Sequence, residues 1–378
     1  MDFFEGVWYN NGSMRIGEEK MKQNESTHAA ILSHLAAYPR LQIADLFKFL
    51  YQSTHGCEHM IASPERAIDY IKKEAEIAPM DGAPIMLLDG AYSRVFLSYM
   101  REGLCAETFG RLFCLSAKQE EGAKETLEKS LAVLLSLAER GELPFEREAV
   151  FRACEEWKEA GYPAIHHSDE FRAAYRPAYR VIANEYIPFL SLFARLDAAL
   201  AKGRVILAIE GGSASGKSTL ASLLAEVYGC TVFHMDDFFL RPEQRTPARL
   251  AEVGGNVDRE RFLAEVLTPL CRGESVFYRP YDCATGEVAP PTPVTPGKLV
   301  VVEGVYSMHP ALAESYDLSV FLDISPDAQM ARIEKRNSPA MAERFFREWI
   351  PLETRYFEEM RVCERCDVVI PVTLPKKD

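Results

Sequence analysis

The stretch IEGGSASGKST, residues 209–219, constrains the fold of this chain more than any other. Gly211 is followed by four residues and then by Gly-Lys-Ser at positions 216–218, which is the P-loop pattern. A β-branched run at residues 204–210 precedes the loop, and a helical pattern follows it. A phosphate-binding loop needs a strand before it and a helix after it, so the stretch predicts a nucleotide site in an α/β sheet.

The backbone and the side chains of this loop have separate roles in holding phosphate. Glycines let backbone N–H groups turn toward phosphate oxygens, and the following helix adds its positive N-terminal end. Lys217 is expected to reach the outer phosphates, and the Ser218 hydroxyl to ligate Mg²⁺. The residues predicted to bind the nucleotide are Gly211, Gly212, Ser213, Ala214, Ser215, Gly216, Lys217, Ser218 and Thr219.

Length and hydrophobic pattern indicate two domains. The 378 residues exceed the size of one ordinary core. Residues 25–200 carry apolar residues three and four apart, which predicts a mainly α-helical domain that binds a ligand or regulates, preceded by a loosely held tail at residues 1–24. From residue 201 to 378, five short β-branched runs alternate with helical stretches. This second region is therefore predicted to be α/β, a P-loop NTPase parallel sheet with flanking helices.

Composition excludes several kinds of partner. The net charge of −13 and the pI near 5.3 argue against a protein that wraps nucleic acid or lies on an anionic membrane. No apolar run approaches the roughly 20 residues of a membrane span. Nine scattered cysteines fit a reducing compartment, and the first residues lack a basic signal-peptide region, so we expect a cytoplasmic protein. The C-x-x-C pair Cys363 and Cys366 has no second pair to complete a zinc site.

Two predicted strands end in acidic residues. The run TVFHMDDFF contains Asp236 and Asp237, and KLVVVEG contains Glu303. Ligands gather at the carboxyl ends of parallel strands, where a kinase needs one carboxylate for the proton of a substrate hydroxyl and another for magnesium. Asp236 is therefore the candidate base, and Asp236, Glu303 and Ser218 are the candidate Mg²⁺ contacts. Helix capping is the alternative interpretation, above all for Asp237.

Further motifs follow in a fixed order: HMDDFF, NVDRERF, YRPYDCATGE and VVVEGVYSMHP. Together with the P-loop they resemble the motifs of uridine kinases and phosphoribulokinases over roughly residues 203–373. The resemblance implies phosphoryl transfer from ATP to a hydroxyl of a small molecule. It leaves the donor, ATP or GTP, and the formation of a homo-oligomer open. A GTPase is not expected, because the chain has no Asn-Lys-x-Asp guanine-reading motif.

The same resemblance implies roles for residues outside the P-loop. Asp258 matches a sugar-hydroxyl contact, and Tyr281 with Asp282 matches part of a nucleoside pocket. Arg332 and Arg336 resemble lid arginines that clamp the transferring phosphate, and their spacing of four puts both on one face of a helix. Solvated helix charges are the alternative interpretation of these arginines.

One departure from the family pattern leaves the acceptor open. Uridine kinases carry a base-reading histidine a few residues after the Tyr-Asp pair, where this chain has Thr285, Gly286 and Glu287. A buried hydrogen bond to the pyrimidine would be missing, and such bonds dominate specificity. A nucleoside, a non-nucleoside sugar or a hydroxy acid therefore remain as acceptors. A nucleotide-dependent regulatory switch that acts through the helical domain is the alternative from another class.

Two patches stand out in the helical region. In THGCEHM, His55 and His59 are four residues apart and flank Cys57, a spacing that suits metal ligands on one helix face, with His166 or His167 as a third ligand. A hydrogen-bonded structural pair of histidines is the alternative. In HHSDEFRAAYRPAYR, the arginines recur every four residues, which predicts one cationic helix face if the helix continues through Pro177. Such a face would bind an anionic ligand or the acidic rim of the P-loop domain, and an ordinary solvated face paired with Glu or Asp is the alternative. These arginines are Arg172, Arg176 and Arg180.

Overall fold

The structure, a computed structural model, describes residues 25–57, 63–79, 83–117 and 122–372. Its contacts divide the chain into two compact units. The first unit holds the chain up to Arg101 and Phe109–Ile187, and the second holds Glu102–Thr108 and Pro188–Lys377. The predicted tail at residues 1–24 lies outside the described residues. The helix after Ile187 is counted with the second unit, whereas the sequence pattern placed the boundary at residue 201.

The part of the chain before residue 188 is mainly helical, as predicted. Its helices are α1 (25–37), α2 (Ile43–His55), α3 (Pro64–Ala75), α4 (Ala106–Leu115), α5 (Ala123–Glu139), α6 (Arg147–Glu159) and α7 (Asp169–Tyr175). A three-stranded antiparallel sheet, which the sequence pattern did not reveal, accompanies them. Its strands, in spatial order, are β1 (Ile85–Leu87), β2 (Tyr92–Phe96) and β3 (Tyr179–Ala183).

The end of helix α7 corrects one prediction. Ser168 caps its start by accepting a hydrogen bond from the Phe171 N–H, and the helix stops at Tyr175. Arg176 has a left-handed φ of 44°, and Pro177 cannot continue the helical hydrogen bonds. The predicted cationic helix face is therefore wrong: Arg172 lies on α7, Arg176 ends it, and Arg180 lies on strand β3.

The second unit contains the predicted parallel sheet. All five β-branched runs form its strands, whose spatial order is β12-β11-β4-β10-β5 with every neighbouring pair parallel. Their bounds are β4 (Val205–Gly211), β5 (Thr231–His234), β10 (Leu299–Glu303), β11 (Leu318–Ile324) and β12 (Val368–Val372). Two short antiparallel pairs lie apart from the sheet: β6 (Val276–Tyr278) with β9 (Thr292–Val294), and β7 (Tyr281–Asp282) with β8 (Glu287–Val288).

Helices connect these strands. They are α8 (Leu190–Leu200), α9 (Lys217–Tyr228), α10 (Pro247–Ala251), α11 (Arg259–Phe262), α12 (Thr268–Arg272), α13 (Pro310–Ala313), α14 (Pro326–Arg336), α15 (Pro339–Arg344), α16 (Ile350–Glu359) and α17 (Val362–Arg365). Every residue of β4 and of β10 is buried, as expected for central strands covered on both faces. None of the described helices combines the length and the apolar character that crossing a membrane requires.

Candidate active site

The P-loop joins strand β4 to helix α9 through backbone conformations that favour glycine. Gly211 has φ of 144°, and a Cβ there would lie 2.7 Å from the carbonyl oxygen of Leu322. Gly216 has φ of 102° and immediately precedes α9. The buried Lys217 Nζ donates hydrogen bonds to the carbonyl oxygens of Gly211 (2.9 Å) and Gly212 (3.0 Å). The lysine therefore lies folded over the loop that it is predicted to serve.

Side chains from two distant helices hold the tip of this loop. Ser213 donates to Glu353 of α16 through its backbone N–H (2.8 Å) and its hydroxyl (2.5 Å). Gln329 of α14 donates from Nε2 to the Ser213 carbonyl oxygen (2.9 Å). Arg332 Nη1, also on α14, donates to the Ala214 carbonyl oxygen (3.1 Å). Sequence reasoning identified Arg332 but missed Glu353 and Gln329.

A fully buried carboxylate lies beneath the loop, at the end of strand β4. Glu210 accepts hydrogen bonds from the backbone N–H groups of Gly211 (2.9 Å) and Met308 (3.0 Å) and from the Tyr356 hydroxyl (3.0 Å). Burial raises the pKa of Glu210 to about 7, although these hydrogen bonds and the charge of Lys217 act in the opposite direction. Tyr356 lies three residues after Glu353, so one face of α16 supports the P-loop at two points.

The predicted magnesium side of the site is assembled from β5, α9 and β10. The Ser218 hydroxyl donates to Glu303 Oε1 (3.0 Å), and His234 Nδ1 is hydrogen-bonded to the same oxygen (2.7 Å). Burial alone would raise the pKa of Glu303, but the His234 hydrogen bond and the nearby Lys217 charge lower it below its ordinary value. The hydrogen bond that His234 makes to Glu303 raises the pKa of His234. Glu303 is therefore held as a carboxylate.

Asp236 and Asp237 have different surroundings, although they are adjacent. Asp236 is accessible to solvent but lies inside a cleft, where desolvation raises its pKa, an effect that Lys217 opposes and the charges of Glu303 and Asp237 reinforce. Asp237 accepts a hydrogen bond from the Tyr278 hydroxyl. Only Asp236 of the two lines the cleft.

The cleft has a volume of about 1360 Å³ and brings most of the predicted groups together. Lys217, Ser218, Asp236 and Glu303 line it. Arg332 and Arg336 line it as well. Other lining residues were not identified from the sequence; they include Arg245, Asn256, Cys283, Tyr306, Arg344, Trp349 and Glu353. Among these, Tyr306 has a positive φ of 76°, a strained conformation that often accompanies functional sites.

The three predicted substrate contacts lie elsewhere in the described structure. Asp258 is buried and caps α11, accepting hydrogen bonds from the Arg261 N–H (3.2 Å) and from Gln244 Nε2 (2.8 Å). Tyr281 is buried with its hydroxyl near Arg245, and Asp282 accepts from the Ala284 N–H (2.8 Å) in a tight turn. None of the three lines the cleft, so their substrate roles remain predictions.

The predicted histidine cluster of the first unit is only partly described. His59 lies outside the described residues. His55 stacks on Tyr51, the thiol of Cys57 is buried, and His166 is exposed, whereas His167 is buried with its Nδ1 hydrogen-bonded to Asp45 (2.8 Å). Within the described ranges, no three His, Cys, Asp or Glu side chains are grouped so that they could hold a metal ion.

Comparison with known proteins agrees with this geometry. Residues 206–340 match the family model described as Phosphoribulokinase / Uridine kinase family. The match covers this C-terminal region rather than the whole chain, and the resemblance of its motifs to the family is confirmed.

Individual relatives match the same region. The phosphoribulokinase of Synechocystis sp. is 30% identical over 131 residues, which cover 33% of this chain and 40% of the relative. The uridine kinase of Chloroflexus aurantiacus is 25% identical over 183 residues, covering 44% of this chain and 86% of the relative. A solved structure described as a possible uridine kinase from Bacillus stearothermophilus is 23% identical, covers 47% of this chain and 98% of that one, and has a TM-score of 0.36. The chain thus spans less than half of the phosphoribulokinase that it matches.

Proposed function

We propose that the second unit transfers a phosphoryl group from ATP to a hydroxyl of a small molecule. The observation that carries this proposal is the placement of Asp236 and Glu303 in one cleft with Lys217 and Ser218 of the P-loop. A nucleotide-binding loop alone needs no base. Phosphoryl transfer to a hydroxyl also requires a carboxylate that can accept the hydroxyl proton. Asp236 is suited to this role because it does not share the hydrogen bonds with Ser218 and His234 that hold Glu303.

The side chains have distinct tasks in this reaction. Asp236 orients the acceptor hydroxyl and takes its proton as the oxygen attacks the γ-phosphate. Desolvation raises its pKa, which makes it a stronger base than an ordinary aspartate. Lys217 and the backbone N–H groups of the loop stabilise the negative charge on the phosphate oxygens, and Arg332 and Arg336, which also line the cleft, add positive charge.

Magnesium fits the oxygen atoms that face this cleft. Mg²⁺ is commonly held by one or two carboxylates together with phosphate oxygens and water, and the Ser218 hydroxyl lies within hydrogen-bond distance of the ionised Glu303. Ser218, Glu303 and Asp236 would hold the ion. When bound, it would neutralise charge that develops on the transferred phosphate.

A non-nucleoside acceptor is the second candidate, after a nucleoside, and the residues that line the cleft support it. Asp258, Tyr281 and Asp282 do not line the cleft, whereas Arg245 and Asn256 do. These two side chains offer hydrogen-bond donors to a polar acceptor such as a sugar or a hydroxy acid. We also propose a cytoplasmic location, because all nine cysteines are free thiols.

A screen for acceptor-dependent ADP formation tests the proposal. The full chain is incubated with Mg²⁺ and ATP, and separately GTP, in the presence of nucleosides, sugars, polyols or hydroxy acids. We expect one acceptor class to raise ADP formation far above the rate in water. Nucleotide hydrolysis that no acceptor changes would contradict the kinase proposal and favour a nucleotide-dependent switch.

A further inference from the structure

A cluster of polar side chains lies in the interior of the first unit, away from the P-loop. Asp45, Lys48 and Gln52 lie on one face of helix α2, and all three are buried. Arg94 reaches the same place from strand β2 and is fully enclosed. Its Nε donates to Gln52 Oε1 at 2.9 Å. A buried charge is costly unless another charge or hydrogen bonds compensate it, so the partners of each charged group decide whether the cluster is complete.

Among the described residues, the Arg94 guanidinium has no carboxylate as an ion-pair partner. Its Nη1 donates to the thioether sulfur of Met86 at 3.9 Å, and its buried Nη2 has no hydrogen-bond partner among the residues that the structure describes. The guanidinium carbon lies 4.8 Å from the centre of the Tyr179 ring and 5.9 Å from that of Phe49. In the part of the chain that the structure describes, no carboxylate forms an ion pair with it. The edge formed by Nη1 and Nη2, which suits the two oxygens of a carboxylate, therefore makes no hydrogen bond to an oxygen atom of the described residues.

The other charges of the cluster balance each other. Asp45 is hydrogen-bonded to His167 Nδ1 (2.8 Å) and to the Ser168 N–H (3.0 Å). Lys48 Nζ donates to the Ile165 carbonyl oxygen (2.9 Å), and its positive charge offsets that of Asp45. When the described residues of the cluster are counted, one positive charge, on Arg94, remains unbalanced. A buried charge without a counter-ion is costly, so one negative charge is the complement that this interior lacks.

His34 supplies a second unfilled group beside the same ring. It stacks on Phe49 at 4.3 Å between ring centres, and within the described part of the chain neither of its buried nitrogens has a hydrogen-bond partner. Burial, reinforced by the charge of Arg94, lowers the pKa of His34 to about 2, so the imidazole is neutral and offers one N–H donor and one acceptor. Arg94 and His34 both contact Phe49, and together they present three unfilled nitrogen positions.

We propose that this cluster is a binding site for the carboxylate of a small organic acid, held by Nη1 and Nη2 of Arg94 and by His34. A monoanionic carboxylate matches the single unbalanced charge, whereas a phosphate dianion would leave a buried negative charge. The ring centre of the half-buried Tyr38 lies 4.9 Å from that of His34 and 4.9 Å from that of Tyr175, so aromatic rings adjoin the cluster. An acid with an apolar or aromatic body suits these rings.

Hydrogen exchange of the full chain tests this site directly. Exchange is measured with acetate, pyruvate or benzoate, and with inorganic phosphate, at constant ionic strength. We expect at least one carboxylate to slow exchange in α2 and β2 in a saturable manner, and phosphate to act at least tenfold more weakly. In Arg94→Met the carboxylate effect should disappear. In His34→Phe, which keeps the stacking on Phe49, the concentration for half-maximal protection should rise severalfold.

A surface arginine provides the matched control. Arg172 is exposed and paired with Asp169, so Arg172→Gln should leave carboxylate protection unchanged. If phosphate protects α2 and β2 as strongly as the carboxylates, the charge argument is wrong. If no carboxylate protects the wild-type chain, or if protection survives in His34→Phe and in a folded Arg94→Met, the cluster is internal structure and the proposal is overturned.

Discussion

The buried Glu210 beneath the P-loop makes stability depend on pH in a direction that can be measured. Its pKa is raised from an ordinary 4.5 to about 7, so the folded state disfavours the ionised form. Stability that is present in acid is therefore lost as the pH rises from the unfolded pKa through the folded one. Replacing Glu210 with Gln removes the ionisation. The amide also sets an NH₂ group against a backbone donor, a cost that does not vary with pH.

The magnitude follows from the two pKa values. Between roughly pH 5 and pH 8 the unfolded chain has already lost the Glu210 proton, whereas the folded chain still binds it. This difference lowers the free energy of unfolding by about 2.5 kcal/mol over that range, compared with a residue that does not titrate. The pH profile of Glu210→Gln should therefore fall less steeply than that of the wild type by this amount. All other titrations are shared by the two proteins and cancel in the difference.

Urea unfolding at several pH values gives this difference. Hydrogen exchange of strand β4 restricts the measurement to the second unit. Tyr356→Phe supplies the second arm. It removes a hydrogen bond that lowers the pKa of Glu210, so the loss of stability with rising pH should be larger and should continue to a higher pH. Parallel profiles of wild type and Glu210→Gln would show that the carboxylate is not desolvated and would refute the reasoning.

Three further substitutions examine the cleft. Lys217→Ala removes the point charge on the outer phosphates, and we expect ADP formation to fall by orders of magnitude with an unchanged circular dichroism spectrum; unchanged turnover would contradict the P-loop assignment. Gln329→Leu removes the hydrogen bond to the Ser213 carbonyl oxygen, which contributes about 1 kcal/mol. We therefore expect KM for ATP to rise roughly fivefold with kcat nearly constant. A fall in kcat alone would argue against a positioning role. Arg336→Ala should lower kcat at least tenfold, while Lys335→Ala, its neighbour outside the cleft, should not, and equal effects would favour solvated charges.

The features that could be predicted from the sequence are those with a local signature. The five strands of the parallel sheet are continuous β-branched runs, because both faces of such strands are buried. The P-loop and the acids at the ends of β5 and β10 follow from the same pattern, since parallel strands bring their carboxyl ends to one edge. The geometry of this edge could thus be anticipated before any contact was known.

Features that depend on distant contacts were not predictable. Glu353 and Gln329 contact Ser213 across 140 and 116 residues, and nothing in their neighbourhood marks them. Strand β2 was missed because its central Arg94 interrupts the apolar pattern while being buried through tertiary packing. The arginine face was wrong because the left-handed Arg176 ends the helix, so periodicity of three or four residues did not imply one helix.

The proposed base is tested most directly by comparing Asp236→Asn with Asp237→Asn in acceptor-dependent ADP formation. Asn keeps the size of the side chain but cannot take a proton, and only Asp236 lines the cleft, whereas Asp237 accepts a hydrogen bond from Tyr278. We predict that Asp236→Asn lowers kcat by roughly 10² or more while calorimetry shows that ATP still binds, and that Asp237→Asn has a much smaller effect. A larger loss of kcat in Asp237→Asn, or full activity in Asp236→Asn, would contradict the proposed active site.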